Sequence, residues 1–441
     1  MKRKPVVAVV GRPNVGKSTF FNALAGERLS IVKDTPGITR DRLYTDVEWL
    51  GRSFTLIDTG GIEPDSKDII LSQMREQAQI AIDTADVILF MTDVRQGLVD
   101  ADDKVADMLR RSGKPVILVV NKVDSYEKQS ADVYEFYNLG LDDPYPISSA
   151  EKQGLGDLLD KLLEYFPESA GEEEEEDEPK IAIIGKPNVG KSSIINRLLG
   201  ENRLIVSDIA GTTRDAVDTR VKRNGKEYVF IDTAGLRRKS KIREELEKFM
   251  IVRTVSAVER ADVAVLVIDA KEGVTEQDAK IAGIAHERGK GMIVAVNKWD
   301  LIEKDNSTVN EFTKKIRDTL AFMPYAELLF VSAETGQRLP KLYDMIDAVI
   351  ENHAMRIATG VLNEIVSEAV ALQQPPSDKG KRLRIFYVTQ VAVKPPTFVI
   401  FVNDKELMHF SYVRYLENRI REAFGFAGTP LRFIVRERKG E

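Results

Sequence analysis

The chain has 441 residues, no cysteine, three histidines and a formal net charge of −6. Without thiols it can form neither disulfides nor thiolate metal centres. A content of 43% hydrophobic and 30% charged residues excludes a disordered polymer, and the length suits about three domains on a prior of roughly 150 residues each.

The basic residues 1–4 precede an apolar run that stops at Gly11-Arg12-Pro13, too short for the core of a signal peptide. No apolar stretch reaches the length of a membrane span, so a cytoplasmic location is expected. The run at 6–10 reads instead as a first strand, followed by the octapeptide GRPNVGKS at 11–18 and a helix at 18–25. In strand–loop–helix context, G-x-x-x-x-G-K-[ST] is a phosphate cradle. Its glycines let the backbone curl, successive N–H groups point inward, and the helix N-terminus adds its positive end. Nucleotide contact is assigned to Gly11, Arg12, Pro13, Asn14, Val15, Gly16, Lys17, Ser18 and Thr19. Lys17 can neutralise β- and γ-phosphate charge, and the Ser18 hydroxyl suits Mg²⁺, a hard cation that takes oxygen ligands.

DTPGITRD at 34–41 contains Thr39, able to close over a γ-phosphate and its metal. A strand at 54–57 leads into DTGG at 58–61, where Asp58 can hold a Mg²⁺-bound water and Gly61 can offer its backbone N–H to the same phosphate. Lys17, Thr39 and Gly61 are the candidate catalytic groups. Strands at 87–92 and 116–120 flank a helix at 101–111 and end in NKVD, which supplies Asn121, Lys122 and Asp124. Asp124 can accept paired hydrogen bonds from the ring N–H and exocyclic amine of guanine, a pair adenine lacks; such a site discriminates by roughly 10⁴ to 10⁵. SAE at 149–151 adds Ser149 and Ala150.

Residues 167–179 contain the acidic run EEEEEDE at 172–178. Like charges repel, so a flexible linker is expected, an acidic docking segment being the alternative. The pattern then repeats: a strand at 181–184, GKPNVGKS at 185–192, a helix at 192–199, DIAGTTRD at 208–215, DTAG at 232–235 after a strand at 228–231, NKWD at 297–300 and SAE at 332–334. Gly11 and Gly185, like Asp58 and Asp232, are 174 residues apart, and the offset widens to 176 at NKxD and 183 at SAE. This is an internal duplication with small loop insertions. The second set of contact candidates is Gly185, Lys186, Pro187, Asn188, Val189, Gly190, Lys191, Ser192, Ser193, Asp232, Asn297, Lys298, Asp300, Ser332 and Ala333. Lys191, Thr213 and Gly235 are its catalytic candidates, and Ser192, Thr213 and Asp232 match Ser18, Thr39 and Asp58 as Mg²⁺ ligands. Singly, DTGG, NKVD and SAE read equally well as a strand-end turn, a helix cap and a loop. Their fixed order after each loop points to two guanine-nucleotide sites.

Near-continuous Val/Ile/Leu strands between helices imply mostly parallel sheets with helices on both faces and ligand loops at the carboxyl ends. The last segment reads as a helix at 355–372, a polar loop, strands at 383–393 and 397–402, a helix at 412–424 and a strand at 431–435. It collects Lys379, Lys381, Arg382, Arg384, Arg414, Arg419, Arg421, Arg432, Arg436, Arg438 and Lys439, a local basic bias that suits RNA phosphates, a solvated face being the alternative. The basic stretch at 237–241 is a second candidate contact.

Together these motifs resemble the translation-factor-related class of GTPases. Two such domains followed by a small third one are similar, over essentially the whole chain, to the Der (EngA) family of bacterial ribosome-assembly GTPases. The resemblance implies an α/β fold with P-loop GTPase domains at 1–166 and 180–351, an acidic linker at 167–179 and an α+β KH-like domain at 352–441. It implies GTP hydrolysis to GDP and phosphate, and a role in maturation of the large ribosomal subunit in which nucleotide state switches rRNA binding. In many small GTPases a Gln after DxxG positions the attacking water; here Ile62 and Leu236 stand there and cannot. By resemblance, Asn14 and Asn188 help bind a K⁺ that supplies the missing charge, holding loop geometry being their other use. Mg²⁺ is thus the expected cofactor, with K⁺ as activator. GTP, GDP, the large subunit and its rRNA are the expected partners, and neither membrane nor DNA is among them. KH domains clamp single-stranded RNA through a GxxG loop between helices, but the GxxG at 425–428 lies between a helix and a strand and reads as a plain turn. The rival readings are a metabolic phosphotransferase and a tRNA-modification or membrane-trafficking GTPase.

Overall fold

The computed structural model describes residues 4–25, 44–59, 67–166, 178–201, 218–233, 246–375, 377–378 and 381–438. They fall into two compact units, one of Lys2–Glu176 with Ser240–Glu259, the other of Asp177–Lys239 with Arg260–Glu441.

The first unit is built on strands β1 (Val6–Val10), β2 (Tyr44–Trp49), β3 (Arg52–Asp58), β4 (Val87–Asp93), β5 (Val116–Asn121) and β6 (Tyr145–Pro146), with helices α1 (Lys17–Ala25), α2 (Lys67–Thr84), α3 (Asp100–Arg111), α4 (Tyr126–Tyr134) and α5 (Leu155–Glu164). Sheet order is β2-β3-β1-β4-β5-β6, and every pair is parallel except β2 with β3. Side chains alternate across a strand. Val7 and Val9 therefore pack on Phe20 and Leu24 of α1 and Leu158 and Leu162 of α5, while Ala8 and Val10 pack on Ala78 and Ala81 of α2 and Val105 and Leu109 of α3. Burial on both faces is why these strands read as unbroken apolar runs. Each fully buried Val or Leu contributes about 1.5–3 kcal/mol.

The second unit repeats the plan with β7 (Lys180–Ile184), β8 (Thr219–Arg223), β9 (Lys226–Ile231), β10 (Val263–Asp269), β11 (Gly291–Asn297) and β12 (Glu327–Phe330). Their order is β12-β11-β10-β7-β9-β8, antiparallel only at β8–β9. Its helices are α6 (Lys191–Glu201), α8 (Glu276–Glu287), α9 (Thr308–Thr319) and α10 (Leu339–Ala354), whereas α7 (Leu246–Arg260) groups, except for Arg260, with the first unit. The same unit carries α11 (Thr359–Leu372), the short pair β13 (Ser377–Asp378) and β14 (Lys381–Arg382), then β15 (Ile385–Ala392), β16 (Thr397–Val402), α12 (Phe410–Phe424) and β17 (Arg432–Glu437). β15 runs antiparallel and β17 parallel to β16, and Val388, Phe398 and Ile400 pack on Leu362 and Val366 of α11 and Leu416 and Ile420 of α12.

The helix expected at 355–372 begins at Thr359, because Met355 and Ala358 are extended, with ψ of 132° and 134°. A buried polar side chain far along the sequence holds this break: Gln390 Oε1 accepts from Ile357 N at 2.7 Å, and its Nε2 donates to Met355 O at 2.9 Å. The GxxG segment is the turn that was expected, and it has a structural use. Gly428 N donates to Tyr325 O at 2.8 Å, Gly428 O accepts from Met292 N at 2.7 Å, and Asn352 Nδ2 donates to Ala427 O at 2.9 Å. Gly428 has φ of 70°, and a Cβ there would lie 2.2 Å from Val349 Cγ2. Only glycine fits this seam between the KH-like segment and the second sheet.

Two histidines are enclosed in this unit. His286 Nδ1 lies 2.8 Å from the Tyr325 hydroxyl; burial, then Arg432 and Arg421, pull its pKa from 6.5 down to about 4. His353 is pulled down to about 3 by burial, then by Lys290, Lys394 and Arg432. Both are neutral in the folded chain and take up a proton on unfolding. Their contribution is therefore complete above pH 6.5 and falls as pH drops from 6.5 toward 4, by at most about 1.4 kcal/mol per pH unit for each histidine. Urea unfolding of the chain from pH 7.5 to 4.5 should show this loss, and His286→Gln with His353→Gln should flatten it.

Candidate functional site

Each phosphate-binding loop runs from the end of a central strand, β1 or β7, into a helix, α1 or α6. Two glycines in each are dictated by close approach. A Cβ on Gly11 would lie 2.3 Å from Met91 O, and one on Gly185 would lie 2.5 Å from Val267 O, the backbone of the neighbouring strand. A Cβ on Gly16 or Gly190 would lie 2.2 Å from the amide nitrogen of Asn121 or Asn297. Those two asparagines open the NKxD segments. Asn121 Nδ2 donates to Val15 O at 2.8 Å while its Oδ1 accepts from Ser149 N and Oγ, both at 3.0 Å. Asn297 repeats this with Val189 O and Ala333 N, both at 2.9 Å. One buried amide thus ties the phosphate loop to the SAE loop in each site.

Lys17 Nζ folds back on Gly11 O at 2.5 Å and Arg12 O at 2.6 Å, and Lys191 Nζ does the same on Gly185 O and Lys186 O. Burial pulls Lys17 down to about 8, against the pull of Asp58 and with the push of Arg12; Lys191 falls to about 8 for the same reason, opposed by Asp278. A desolvated ammonium at the mouth of an amide-lined loop is an anion site, since a polyphosphate offsets its desolvation. Asp58 ends β3 in register with Val9, so its carboxylate and the exposed Ser18 hydroxyl offer hard oxygens beside the loop. That donor set fits Mg²⁺, which takes few protein ligands together with phosphate and water. Asp232 stands in the equivalent place with φ of 54°. Thr39, Gly61, Thr213 and Gly235 lie outside the described residues, as do Ile62, Leu236 and the stretch at 237–241. Asn14 and Asn188 have φ of 65° and 64°, a left-handed conformation that Asn tolerates.

The carboxylates that close the two NKxD segments differ between the sites. Asp124 accepts from Ser148 Oγ at 3.0 Å and is paired with Arg95, which, with Ser148, holds it below the usual carboxylate range. Asp300 Oδ1 is buried without a hydrogen-bond partner. Lys122 and Lys298, at φ of 67° and 61°, each donate at 2.6 Å to the aspartate that ends the preceding strand, Asp93 or Asp269.

Arg12 and Lys186 turn their side chains away from the loop interior. Arg12 donates to Asp102 Oδ1 and Gln96 Oε1, both at 2.8 Å, and to Gly97 O at 3.3 Å; Lys186 meets Glu272 at 2.9 Å and Asp278 at 3.5 Å. They brace the loop against the starts of α3 and α8. Burial pushes the Asp102 and Asp278 carboxyls up against the pull of these cations, and removing one partner of such a pair costs about 3–5 kcal/mol. Neither aspartate, nor Asp93 or Asp269, was among the sequence candidates. A signal existed: both pairs recur at the 176-residue offset of NKxD.

A family model described as "50S ribosome-binding GTPase" matches residues 6–122 and again 180–298. A second, described as "KH-domain-like of EngA bacterial GTPase enzymes, C-terminal", matches 356–436. The chain is 74% identical over 436 residues to GTPase Der of Agathobacter rectalis, 73% to that of Lachnospira eligens and 74% to that of Lachnoclostridium phytofermentans, each match covering 99% of both chains. With two phosphate loops, two NKxD segments and identity of this order across nearly its whole length, the chain belongs to the GTPase Der family and is a GTP-binding, GTP-hydrolysing enzyme.

Proposed function

We propose that the chain is a maturation factor for the large ribosomal subunit, in which GTP hydrolysis in two domains, at 1–166 and 180–351, resets the binding of rRNA by the whole molecule. What supports this reading best is the doubled site joined to a KH-like segment: a metabolic phosphotransferase needs an acceptor pocket and an acceptor base, whereas this chain repeats its nucleotide site and ends in a basic module. Among the described residues no helix is long and apolar enough to cross a membrane, and the composition carries no cysteine for lipid attachment. Cytoplasmic action follows from this reading, with residues 167–179 as the linker between the domains.

In each site the loop lysine, Lys17 or Lys191, neutralises phosphate charge and the loop amides orient the chain of phosphates for in-line attack by water. Ser18 and Asp58 with Thr39, and Ser192 and Asp232 with Thr213, would hold Mg²⁺, which supplies charge neutralisation at the β- and γ-oxygens. Gly61 and Gly235 add backbone N–H donors. Because Ile62 and Leu236 cannot position water, Asn14 and Asn188 are assigned to a K⁺ that supplies the positive charge an arginine finger gives elsewhere. Loss of the γ-phosphate releases Thr39 and Thr213, and that order–disorder step is what the ribosomal complex senses.

Lys17→Ala and Lys191→Ala, made separately, should each reduce GDP stoichiometry in calorimetry by one equivalent and slow turnover at the altered site by about 10²-fold. Hydrolysis should run faster in K⁺ than in Na⁺, and the ratio should collapse when Asn14→Ala and Asn188→Ala are combined; equal rates in both salts would refute the assignment. The GTP-loaded chain should cosediment with large ribosomal subunits from a lysate, and absence of cosedimentation sinks the ribosomal reading.

A further inference from the structure

The KH-like segment has a second face that the conventional RNA loop does not use. Its GxxG turn is spent on the seam with the second sheet, where Gly428 bonds Tyr325 and Met292. In the three-stranded sheet, the alternate residues Val388, Phe398, Ile400 and Val402 face the helices. The other set faces away. Its rows follow from the register: Tyr387 opposite Phe401 opposite Arg436, then Thr389 opposite Val399 opposite Ile434.

The Tyr387 and Phe401 rings stack with centroids 4.4 Å apart and planes inclined by 17°, and Tyr387 remains 37% exposed in spite of that stack. Ile434, on β17 across the central strand and one row along, is 38% exposed, while Val399 between the two edges is 4% exposed. One step further along, Arg384 and Asn403 exchange backbone and side-chain bonds across β15 and β16, and Arg438 N bonds Val402 O. Arg436 ends the row of the aromatic pair, and the exposed Arg384 and Arg438 follow beyond it along their strands. The Arg384 guanidinium lies 5.4 Å from the Phe386 ring centre. Among the described residues none of the three forms an ion pair with a carboxylate, and no Asp or Glu belongs to the rows of this face. An exposed tyrosine stacked on Phe401, with the exposed Arg436 in the same row of a chain of net charge −6, suits an anion with flat apolar faces.

We infer that this open sheet face is a platform for single-stranded RNA, one base lying on the Tyr387–Phe401 pair and the adjoining phosphates meeting Arg436 and its neighbours. The inference rests on the ribosomal reading above and adds the place and mode of RNA contact. Unstacked bases are required, because a duplex hides the π-faces that aromatic side chains recognise.

The test is fluorescence anisotropy of the full chain with a labelled oligouridylate and with a hairpin duplex. The oligouridylate should bind more tightly than the duplex. Tyr387→Ala should weaken it by about tenfold or more, as loss of one base–aromatic stack does, and Tyr387→Phe should retain wild-type affinity. Arg436→Ala should lower the slope of log K against log salt by about 0.7 for each phosphate it ceases to neutralise. In Tyr387→Trp, emission should be quenched as RNA is added. Wild-type affinity in Tyr387→Ala, preference for the duplex, or no uptake of oligouridylate by the wild type overturns the platform. So does self-association of the chain that Tyr387→Ala abolishes while RNA affinity stays unchanged, since the face would then serve a second copy. Cosedimentation separates the two levels: wild-type chain that still reaches large subunits while failing these tests loses only the platform.

Discussion

The structure depends on a side-chain amide pressed against a glycine. Asn121 sits where a Cβ on Gly16 would be, and Asn297 does the same at Gly190. Through its two ends the amide bonds the phosphate loop and the SAE loop. The same buried group thus fixes the phosphate loop against the SAE loop. A glycine in each loop is required by this contact more than by curvature alone. The Met91 and Val267 carbonyls impose the same demand on Gly11 and Gly185 from the adjacent strand. Loop, strand end and NKxD segment are thus tied together, the kind of preorganisation that phosphoryl transfer uses in place of covalent chemistry.

Duplication kept this piece and varied what surrounds it. In the first site the loop is braced by a guanidinium that reaches a carboxylate, an amide and a backbone carbonyl; in the second a single ammonium is shared between two carboxylates. A planar fork fixes orientation, whereas an ammonium acts as a point charge, so the first loop is held in direction and the second mainly by charge. The aspartates of the two NKxD segments diverge as well, Asp124 engaged by Arg95 and Ser148, Asp300 with a buried unpartnered oxygen. Two sites with one chemistry are thereby given different costs of rearrangement on binding.

Much of this was legible in the sequence, and the reason is physical. Phosphate loops, strand-end aspartates and NKxD segments are local: their residues lie within one turn of backbone, so their spacing in the chain is their spacing in space. The parallel sheets were legible because strands buried on both faces cannot alternate. The braces left only the recurrence of their aspartates at the duplication offset, because Arg12 and Asp102 are joined across 90 residues by the fold. Gln390 shows the same limit: nothing near 390 signals that its amide will close the gap between α10 and α11. Nor does a lone Gly428 announce that its backbone completes a hydrogen-bond pair with Tyr325 and Met292.

That last contact reorders what the C-terminal segment has left to offer. A KH fold that lends its glycine turn to a neighbouring sheet cannot also close that turn over nucleotides, since the N–H and C=O of Gly428 are already engaged and its Cα is held against Val349. Helices α11 and α12 are committed to the core through Leu362, Val366, Leu416 and Ile420. The side of the sheet opposite the helices keeps a surface of its own, where the register sets Tyr387, Phe401 and Arg436 in one row and Ile434 in the next. Binding RNA on a sheet face carried by the same compact unit as the second GTPase site requires no flexible tether to transmit position. On the platform proposed above, a displacement of that unit would carry the RNA contact with it.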